Sequence, residues 1–203
     1  MERVIVYIDG FNLYLGICDK GWRRYLWLDL PALATRLLTP GQQLVATKYF
    51  TARVRADPGK IRRQSTYLQA LEARGGLTIH YGRYQERTKQ CHSCHAAWTE
   101  YEEKMSDVRL ASELLRDAYS DRYDSALIVS ADADLQPPIE MIRLDHPLKR
   151  VVAAFPPARD SYHLRGIAHE YFRLGRARLS KSQLPPAIKK ADGFLLRRPV
   201  EWQ

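Results

Sequence analysis

Two short apolar runs in this chain end in aspartates, and this pattern constrains the fold more strongly than any other feature of the sequence. The run at residues 4–8 leads directly into Asp9. The run at residues 126–129 leads, across two residues, to Asp132 and Asp134. Short continuous apolar runs are typical of strands that are buried on both faces of a parallel sheet. Because ligands bind beyond the carboxyl ends of such strands, we expect these aspartates to lie at one edge of the sheet.

Strand-like and helix-like segments alternate along the chain, as they do in βαβ units around a parallel sheet. The predicted strands cover residues 3–8, 44–52, 77–81, 125–130 and 150–155. Helices are predicted after an Asp29 cap, at residues 58–74, after a Ser106 cap and near Pro137. A last helix is predicted to present one apolar face, formed by Leu164, Ile167, Ala168, Tyr171 and Phe172. The expected fold class is therefore α/β, with a mostly parallel sheet of about five strands.

Length and composition favour one domain. A chain of 203 residues can bury a single core, and we assign residues 1–178 to one domain with a polar insertion at about residues 83–104. Residues 179–203 are basic and contain prolines, which predicts an ordered or half-ordered extension. No apolar run approaches the roughly 20 residues that span a bilayer. The charged start does not resemble a secretory signal, and cysteines are few, so the expected compartment is the cytoplasm.

The formal net charge of +9 indicates a polyanionic partner. The basic residues are not spread evenly, since they concentrate in two clusters, Arg53, Arg55, Lys60, Arg62 and Arg63, and Arg173, Arg176, Arg178 and Lys181. General solubility is the alternative explanation of the charge. A membrane surface would also attract such clusters, but the sequence carries no lipidation motif that supports this.

Asp107 opens an amphipathic segment and is a fourth candidate for the pocket of strand-end aspartates. Carboxylates packed together repel each other and usually persist only where a cation neutralises them. Carboxylate oxygens are hard ligands, which predicts Mg²⁺ or Mn²⁺ at this site. Asn12 is a candidate to orient Asp9 or a metal-bound water, and Ser130 is a candidate to hold Asp132 or Asp134 or to bond the metal-bound water. Glu103 is a candidate fifth carboxylate, although a solvated run of charges explains it equally well.

Each of these aspartates also has a purely structural interpretation. Asp9 can cap a helix that follows the first strand, and Asp107 can stabilise the first turn of its own helix through the helix dipole. Asp132 and Asp134 can belong to a polar loop that caps the next helix. The occurrence of all four together favours the metal site over these alternatives.

Three segments of the sequence resemble the signature regions of a known family. The segments I-D-G-F-N, E-K-M-S-D-V-R-L-A and S-A-D-A-D-L-Q-P-P-I are similar to those of the bacterial NYN domains, which belong to the PIN-like nuclease superfamily. The resemblance covers roughly residues 1–178. It implies a Rossmann-like three-layer α/β/α sandwich, a carboxylate site for divalent metal, and hydrolysis of RNA phosphodiester bonds. Two ions in such a site would activate a water and stabilise the leaving 3′ oxygen.

Two other classes of protein fit part of the pattern. A phosphohydrolase of the HAD type also places aspartates at strand ends, but it needs a second aspartate two residues after the first, where this chain has Phe11. A binding module without catalysis would hold RNA on its basic surface alone. Rings near the first motif, namely Tyr7, Tyr14, Trp22, Tyr25 and Trp27, can stack on RNA bases or simply pack in the core.

The insertion carries the segment C-H-S-C-H, in which Cys91 and Cys94 have the spacing of metal ligands. Two thiolates cannot close a tetrahedral zinc site, so His80, His92, His95 or a second subunit of a homodimer must complete it. Inert surface thiols and a redox pair are the alternatives. The string also matches the attachment signature of c-type haem, which the absence of an export signal disfavours.

Overall fold

Six parallel strands form the central sheet of the protein. The computed structural model describes residues 1–55 and 57–203, and of residues 100–103 it describes the backbone alone. Its strands are β1 (Glu2–Asp9), β2 (Gln42–Thr51), β3 (Thr78–Tyr81), β4 (Arg83–Gln90), β5 (Ala97–Lys104), β6 (Ser125–Val129), β7 (Arg150–Phe155), β8 (Glu170–Arg173), β9 (Ala187–Lys189) and β10 (Leu195–Arg197). The order across the sheet is β3-β2-β1-β6-β7-β8, so β1 lies near its centre.

Helices cover both faces of this sheet, which gives three layers. They are α1 (Gly10–Asp19), α2 (Leu30–Leu37), α3 (Pro58–Arg74), α4 (Ser106–Tyr119), α5 (Gln136–Asp145), α6 (Tyr162–Ile167) and α7 (Arg176–Ser180). The alternation of side chains along β1 shows the two faces: Val4, Val6 and Ile8 pack toward α1, α2 and α3, whereas Ile5 and Tyr7 pack toward α4, α5 and α6. The expected α/β/α sandwich with a parallel sheet is confirmed.

Two local predictions were wrong. The last predicted helix ends at Ile167, and Tyr171 and Phe172 belong to β8, which adds a sixth strand beside β7. Apolar residues at helical spacing also fit a short helix followed by a strand. The second error concerns Ser106, which is the buried first residue of α4 and not its cap. Met105 occupies the cap position, with a φ of 79° in the left-handed region.

The polar insertion forms an antiparallel hairpin of β4 and β5, and Cys91 and Cys94 lie in its turn. The segment after residue 178 is ordered: β9 and β10 pair with each other, and Leu184, Leu196 and Trp202 are buried in the core on the α1 side. Among the described residues, no helix is both long enough and apolar enough to cross a membrane.

Candidate functional site

Three aspartates from three different elements meet at the carboxyl edge of the sheet. Each of Asp9, Asp107 and Asp132 offers one carboxylate oxygen, and these oxygens lie within 4.8 Å of one another. Asp9 ends β1, Asp107 lies in the first turn of α4, and Asp132 follows β6. Because β1 and β6 are adjacent parallel strands, their carboxyl ends deliver two of the acids to one point. We call this group the carboxylate cluster.

Asp9 is fixed by hydrogen bonds to both of its oxygens. Its Oδ1 accepts the backbone N–H of Asn12 at 3.0 Å, which makes Asp9 the N-cap of α1, and its Oδ2 accepts the hydroxyl of Ser130 at 2.8 Å. The side chain is 4% exposed. Asp9 is therefore a helix cap and a member of the cluster at the same time, so the structural interpretation and the site interpretation are compatible.

Asn12 and Ser130 connect the ends of the two strands. The Ser130 hydroxyl also accepts the backbone N–H of Asp132 at 3.1 Å, and the Asn12 Oδ1 accepts the backbone N–H of Ala131 at 3.2 Å. These two bonds tie the turn after β6 to the start of α1. The Ser130 side chain and the Asn12 backbone thus hold Asp9, and the Asn12 side chain holds the turn that carries Asp132.

Asp134 differs from the three cluster residues in its exposure and in its contacts. Its side chain is exposed, and its backbone N–H donates to the Asp132 Oδ1 at 3.0 Å, so that Asp132 caps the short 3₁₀ helix Ala133–Leu135. In the part of the chain that the structure describes, the group of three carboxylates does not include Asp134. The side chain of Glu103, the candidate fifth carboxylate, lies outside the described residues.

Electrostatics at the cluster favour binding of a cation. Burial, together with the charges of Asp107 and Asp132, raises the pKa of the Asp9 carboxyl to about 7, against the lowering effect of the hydrogen bonds from Asn12 and Ser130. Ligand oxygens on opposite sides of Mg²⁺ lie roughly 4.2 Å apart, so oxygens within 4.8 Å of one another need only small adjustments to share one ion. The donor set is entirely carboxylate oxygen, which fits Mg²⁺ or Mn²⁺.

Gly10 is required at the start of α1 by close packing. A Cβ at this position would lie 2.6 Å from Cε2 of Tyr49 and 2.7 Å from the backbone oxygen of Phe50. The structure shows a close approach to β2, which sets the position of Asp9 directly before it.

A second group of ionisable side chains lies farther along α4 and was not predicted. The buried Lys48 ammonium pairs with Asp117 and, at 2.8 Å, with Glu113. The Tyr7 hydroxyl donates to Asp117 at 2.7 Å. His80, one of the candidate zinc ligands, stacks on Phe50 in this region, with its Nε2 4.0 Å from Glu113. We call Lys48, Glu113, Asp117 and Tyr7 the buried ion network.

The cysteine pair lies in the turn of the β4–β5 hairpin. Backbone N–H groups of Cys94 and Ser93, and then the Cys94 side chain, donate toward the Cys91 sulfur and lower the pKa of its thiol. Cys91 is half-buried and Cys94 is exposed. In the described part of the chain, Cys91, Cys94 and His95 do not form a group of three converging ligands.

Both basic clusters lie on the surface, and both make contacts within the protein. In the C-terminal cluster, Arg173 pairs with Asp160, the Arg176 Nε donates to the Tyr25 hydroxyl at 2.9 Å, and Arg178 lies 4.7 Å above the Phe172 ring. In the other cluster, Arg53 donates to the Tyr81 hydroxyl at 3.3 Å and lies 4.7 Å above its ring, and Arg55, Lys60 and Arg62 are exposed as well. Of the rings near the first motif, Tyr7, Tyr25 and Trp27 are buried core residues, and Tyr14 is 39% exposed.

Comparisons with known proteins agree with the fold described above. A family model described as NYN domain matches residues 3–175. A 6-hydroxy-3-succinoylpyridine 3-monooxygenase of Pseudomonas putida is 30% identical over 177 residues, which cover 70% of this chain and 55% of that protein. The chain thus spans about half the length of this curated relative. A crystal structure of a protein of unknown function from Vibrio parahaemolyticus aligns with a TM-score of 0.58 and 19% identity, over 90% of this chain and 96% of that one, and so shares the fold.

Proposed function

The chain belongs to the NYN domain family, whose fold is that of PIN-like nucleases, and on that premise we propose that it is a metal-dependent ribonuclease. The observation that carries the proposal is the carboxylate cluster, where oxygens of Asp9, Asp107 and Asp132 lie within 4.8 Å at the carboxyl edge of the sheet. Protein cations neutralise the acids of the buried ion network, whereas the Asp9 carboxyl has its pKa raised to about 7. An external divalent cation would neutralise the negative charge of the carboxylate cluster.

In the proposed reaction, the three carboxylates hold the cation and the protein holds the carboxylates. A bound Mg²⁺ or Mn²⁺ supplies charge neutralisation for the scissile phosphate and activation of water. Ser130 and Asn12 fix the orientation of Asp9 and of the turn that carries Asp132. Asp134, exposed beside the cluster, is proposed to contact the cation's outer water shell. The residues proposed to act in cleavage are thus Asp9, Asn12, Asp107, Ser130, Asp132 and Asp134.

RNA is the proposed substrate, on two grounds. Members of this family are generally nucleases, and a net charge of +9 coexists with an acidic cluster. A basic surface around an acidic metal site attracts the phosphate backbone while leaving the reactive site to the cation. The exposed residues Arg53, Arg55, Lys60 and Arg62 are the proposed contacts with phosphates, because they lie close together on the segment between β2 and α3 and at the start of α3.

The hairpin turn is proposed to hold zinc in a structural role, separate from the carboxylate cluster. Thiolates select softer zinc over magnesium, and the N–H groups around Cys91 favour its thiolate form. His80 is engaged in packing on Phe50. The remaining ligands are therefore proposed to come from His92, His95 or a second copy of the chain, in which case zinc would link a homodimer.

A monooxygenase is the second candidate, because the relative from Pseudomonas putida carries that name at 30% identity. Insertion of one oxygen atom into a pyridine ring reduces the other oxygen atom to water, and therefore needs a two-electron reductant. The discriminating assay is oxygen consumption by the purified protein with 6-hydroxy-3-succinoylpyridine and a reduced nicotinamide or flavin. Consumption that depends on the pyridine would support the monooxygenase, and its absence alongside RNA cleavage would support the nuclease.

The ribonuclease proposal is tested by replacing Asp132 with Asn. Cleavage of a labelled single-stranded RNA in Mn²⁺ should fall at least about 100-fold, because the amide removes a charge that holds the cation. Asp134→Asn should reduce cleavage about tenfold, since this side chain lies outside the group of three. The matched control is Asp145→Asn, an exposed acid at the far end of α5, which should cleave at the wild-type rate.

Two results would reject the mechanism. Asp132→Asn protein that cleaves at nearly the wild-type rate would exclude the cluster as the active site. Cleavage by the wild type in excess chelator would exclude the metal. A protein that retains RNA affinity in chelator and releases no shorter products in Mn²⁺ would instead be the binding module.

A further inference from the structure

A cavity of about 370 Å³ lies on the face of the sheet that helices α1 and α3 cover. Gly10, which directly follows Asp9, belongs to its wall, so the cavity and the cluster share the turn at the end of β1. Its volume falls within the range of about 300–1,000 Å³ that is typical of small-ligand sites. The proposed reaction makes no use of this space.

The walls of the cavity are mostly apolar and rich in rings. Tyr14, Tyr49, Tyr67 and Trp202 line it together with aliphatic side chains of α1 and of the segment before α2. Tyr67 and Trp202 are fixed edge to face, with ring centroids 5.9 Å apart, and the Tyr67 hydroxyl donates to the Leu28 carbonyl at 2.9 Å. Rigid aromatic walls of this kind favour a flat aromatic ligand.

Three exposed residues of the lining, Phe11, Tyr14 and Lys60, form the mouth of the cavity. Arg63 also lines it and pairs with Glu201 at 3.0 Å. Among the described residues of the lining Asp57 is the one acid, and its carboxylate accepts the backbone N–H of Lys60 at 3.0 Å as the cap of α3. The charges of Lys60 and Arg63 are thus balanced by Asp57 and Glu201. The exposed Lys60 ammonium and an Arg63 guanidinium that exchanges Glu201 for a phosphate are the groups that would contact an anion.

We propose that this cavity binds a nucleobase of the RNA, with the adjoining phosphate at Lys60 and Arg63. The inference rests on the proposed function, because it takes the occupant to be a nucleotide close to the scissile phosphate. The aromatic walls fit a base and the cations at the mouth fit a phosphate, and Gly10, which lines the cavity and directly follows Asp9, connects this nucleotide site to the cluster. The cavity would then determine which base lies next to the cut.

Binding of single nucleotides in EDTA tests the proposal without catalysis. Calorimetry should show at least one of AMP, GMP, CMP and UMP binding at least tenfold tighter than ribose 5-phosphate, which lacks the base. Val54→Phe places a ring at a half-buried position of the wall and should weaken that nucleotide at least tenfold. Lys60→Met should weaken the nucleotide several-fold and leave the nucleoside unchanged, whereas the control Lys181→Met, an exposed lysine of the same charge, should change neither.

Nucleotides that bind no tighter than ribose 5-phosphate would overturn the proposal, and so would unchanged affinity in folded Val54→Phe protein. If that variant does not fold, Tyr14→Ala, at a partly exposed ring, is the second variant and should give the same loss. Binding of 6-hydroxynicotinate without binding of any nucleotide would assign the cavity to a small heteroaromatic acid instead. Mn²⁺-dependent cleavage is measured separately on each protein. Cleavage without nucleotide binding rejects the cavity proposal alone, and nucleotide binding without cleavage rejects the ribonuclease alone.

Discussion

The carboxylate cluster and the buried ion network use the same two elements, β1 and α4, and treat acidic side chains in opposite ways. In the network, Lys48 and Tyr7 contact Asp117, and although burial raises the pKa of this carboxyl, these hydrogen bonds bring it below its ordinary value. In the cluster, burial raises the pKa of Asp9 to about 7, and its protein partners are an amide and a hydroxyl. The protein supplies a cation to the network, and we propose that an external ion serves the cluster.

This difference separates a structural acid from a functional one more clearly than burial does. Asp9 and Asp117 are both buried, at 4% and 0% exposure. A buried acid with a protein cation is neutralised at all times, so its charge contributes to folding and is not available for chemistry. A buried acid among other acids is tolerated where it has a second role, and strongly raised pKa values concentrate at functional sites for this reason.

The largest effect on stability is expected from Lys48→Met. Removal of the ammonium leaves the buried Asp117 with the more distant Arg122 guanidinium at 3.5 Å, while Glu113 keeps Arg116 at 2.6 Å. Loss of one partner of a buried ion pair costs about 3–5 kcal/mol. Urea unfolding should show this loss, and added Mn²⁺ should not restore it, because the network is not the metal site. As a control, the triple variant Lys48→Met, Glu113→Gln, Asp117→Asn should recover much of the stability. Wild-type stability in Lys48→Met alone would contradict the division between the two sites.

Sequence patterns predicted the cluster but not the network, and the reason is physical. Asp9 directly follows one apolar run and Asp132 lies three residues after another, so the rule for strand ends places them together without knowledge of packing. Lys48 and Asp117 are 69 residues apart, and each resembles a solvated charge in its own segment. Their pairing depends on the register that sets Tyr7 beside Lys48, which a single sequence does not encode locally. A lysine in the middle of a predicted strand was the available signal.

The strands of the fold were also predicted where local sequence patterns mark them, and missed where they depend on tertiary packing. Strand β7 lies at the predicted residues, and the other four predicted strands agree with the structure to within two residues at each end, because continuous apolar runs mark them. Strand β8 was missed, since four residues after a short helix carry too little alternation to distinguish them from a continuing helix. The burial of Trp202 against Trp27 and Tyr67 was also not apparent from a basic, proline-containing segment. Such contacts depend on tertiary packing.

The pH dependence of the cluster is the next largest effect. The pKa of Asp9 is raised from 3.8 to about 7, so between these values the folded protein retains a proton that the unfolded chain loses. Metal-free stability should therefore fall as the pH rises from about 4 to about 7 and depend little on this group above that. Asp9→Asn should remove this dependence, and urea unfolding of the apo proteins measures it.

Binding of the cation has the opposite dependence, because the ion displaces the Asp9 proton. Below about pH 7 the affinity for Mn²⁺ should weaken by up to about tenfold per pH unit. The shift of the unfolding midpoint on adding Mn²⁺ should therefore be larger at pH 8 than at pH 6, with the control Asp145→Asn behaving as the wild type. An Mn²⁺ shift that is the same at both pH values would argue against Asp9 as a ligand.

The smallest expected effect concerns the β4–β5 hairpin. Its proposed zinc site would hold a cation with thiolates, unlike the carboxylate cluster and the buried ion network. Cys91 and Cys94 lie in a turn far out on a two-stranded hairpin, so loss of a metal there should leave the central sheet intact. Elemental analysis should find about one zinc per chain, or about half if two copies share the ion, and Cys94→Ser should abolish it. The matched control is Cys18→Ser, at a half-buried cysteine of α1, which should retain full zinc content.

The oligomeric state tests which ligands complete the zinc site. Loss of zinc should turn a dimer into monomers on size exclusion if two copies share the ion. It should leave the oligomeric state unchanged if His92 or His95 completes the site within one chain. Protein purified without chelator that contains no zinc would leave the two cysteines as surface thiols.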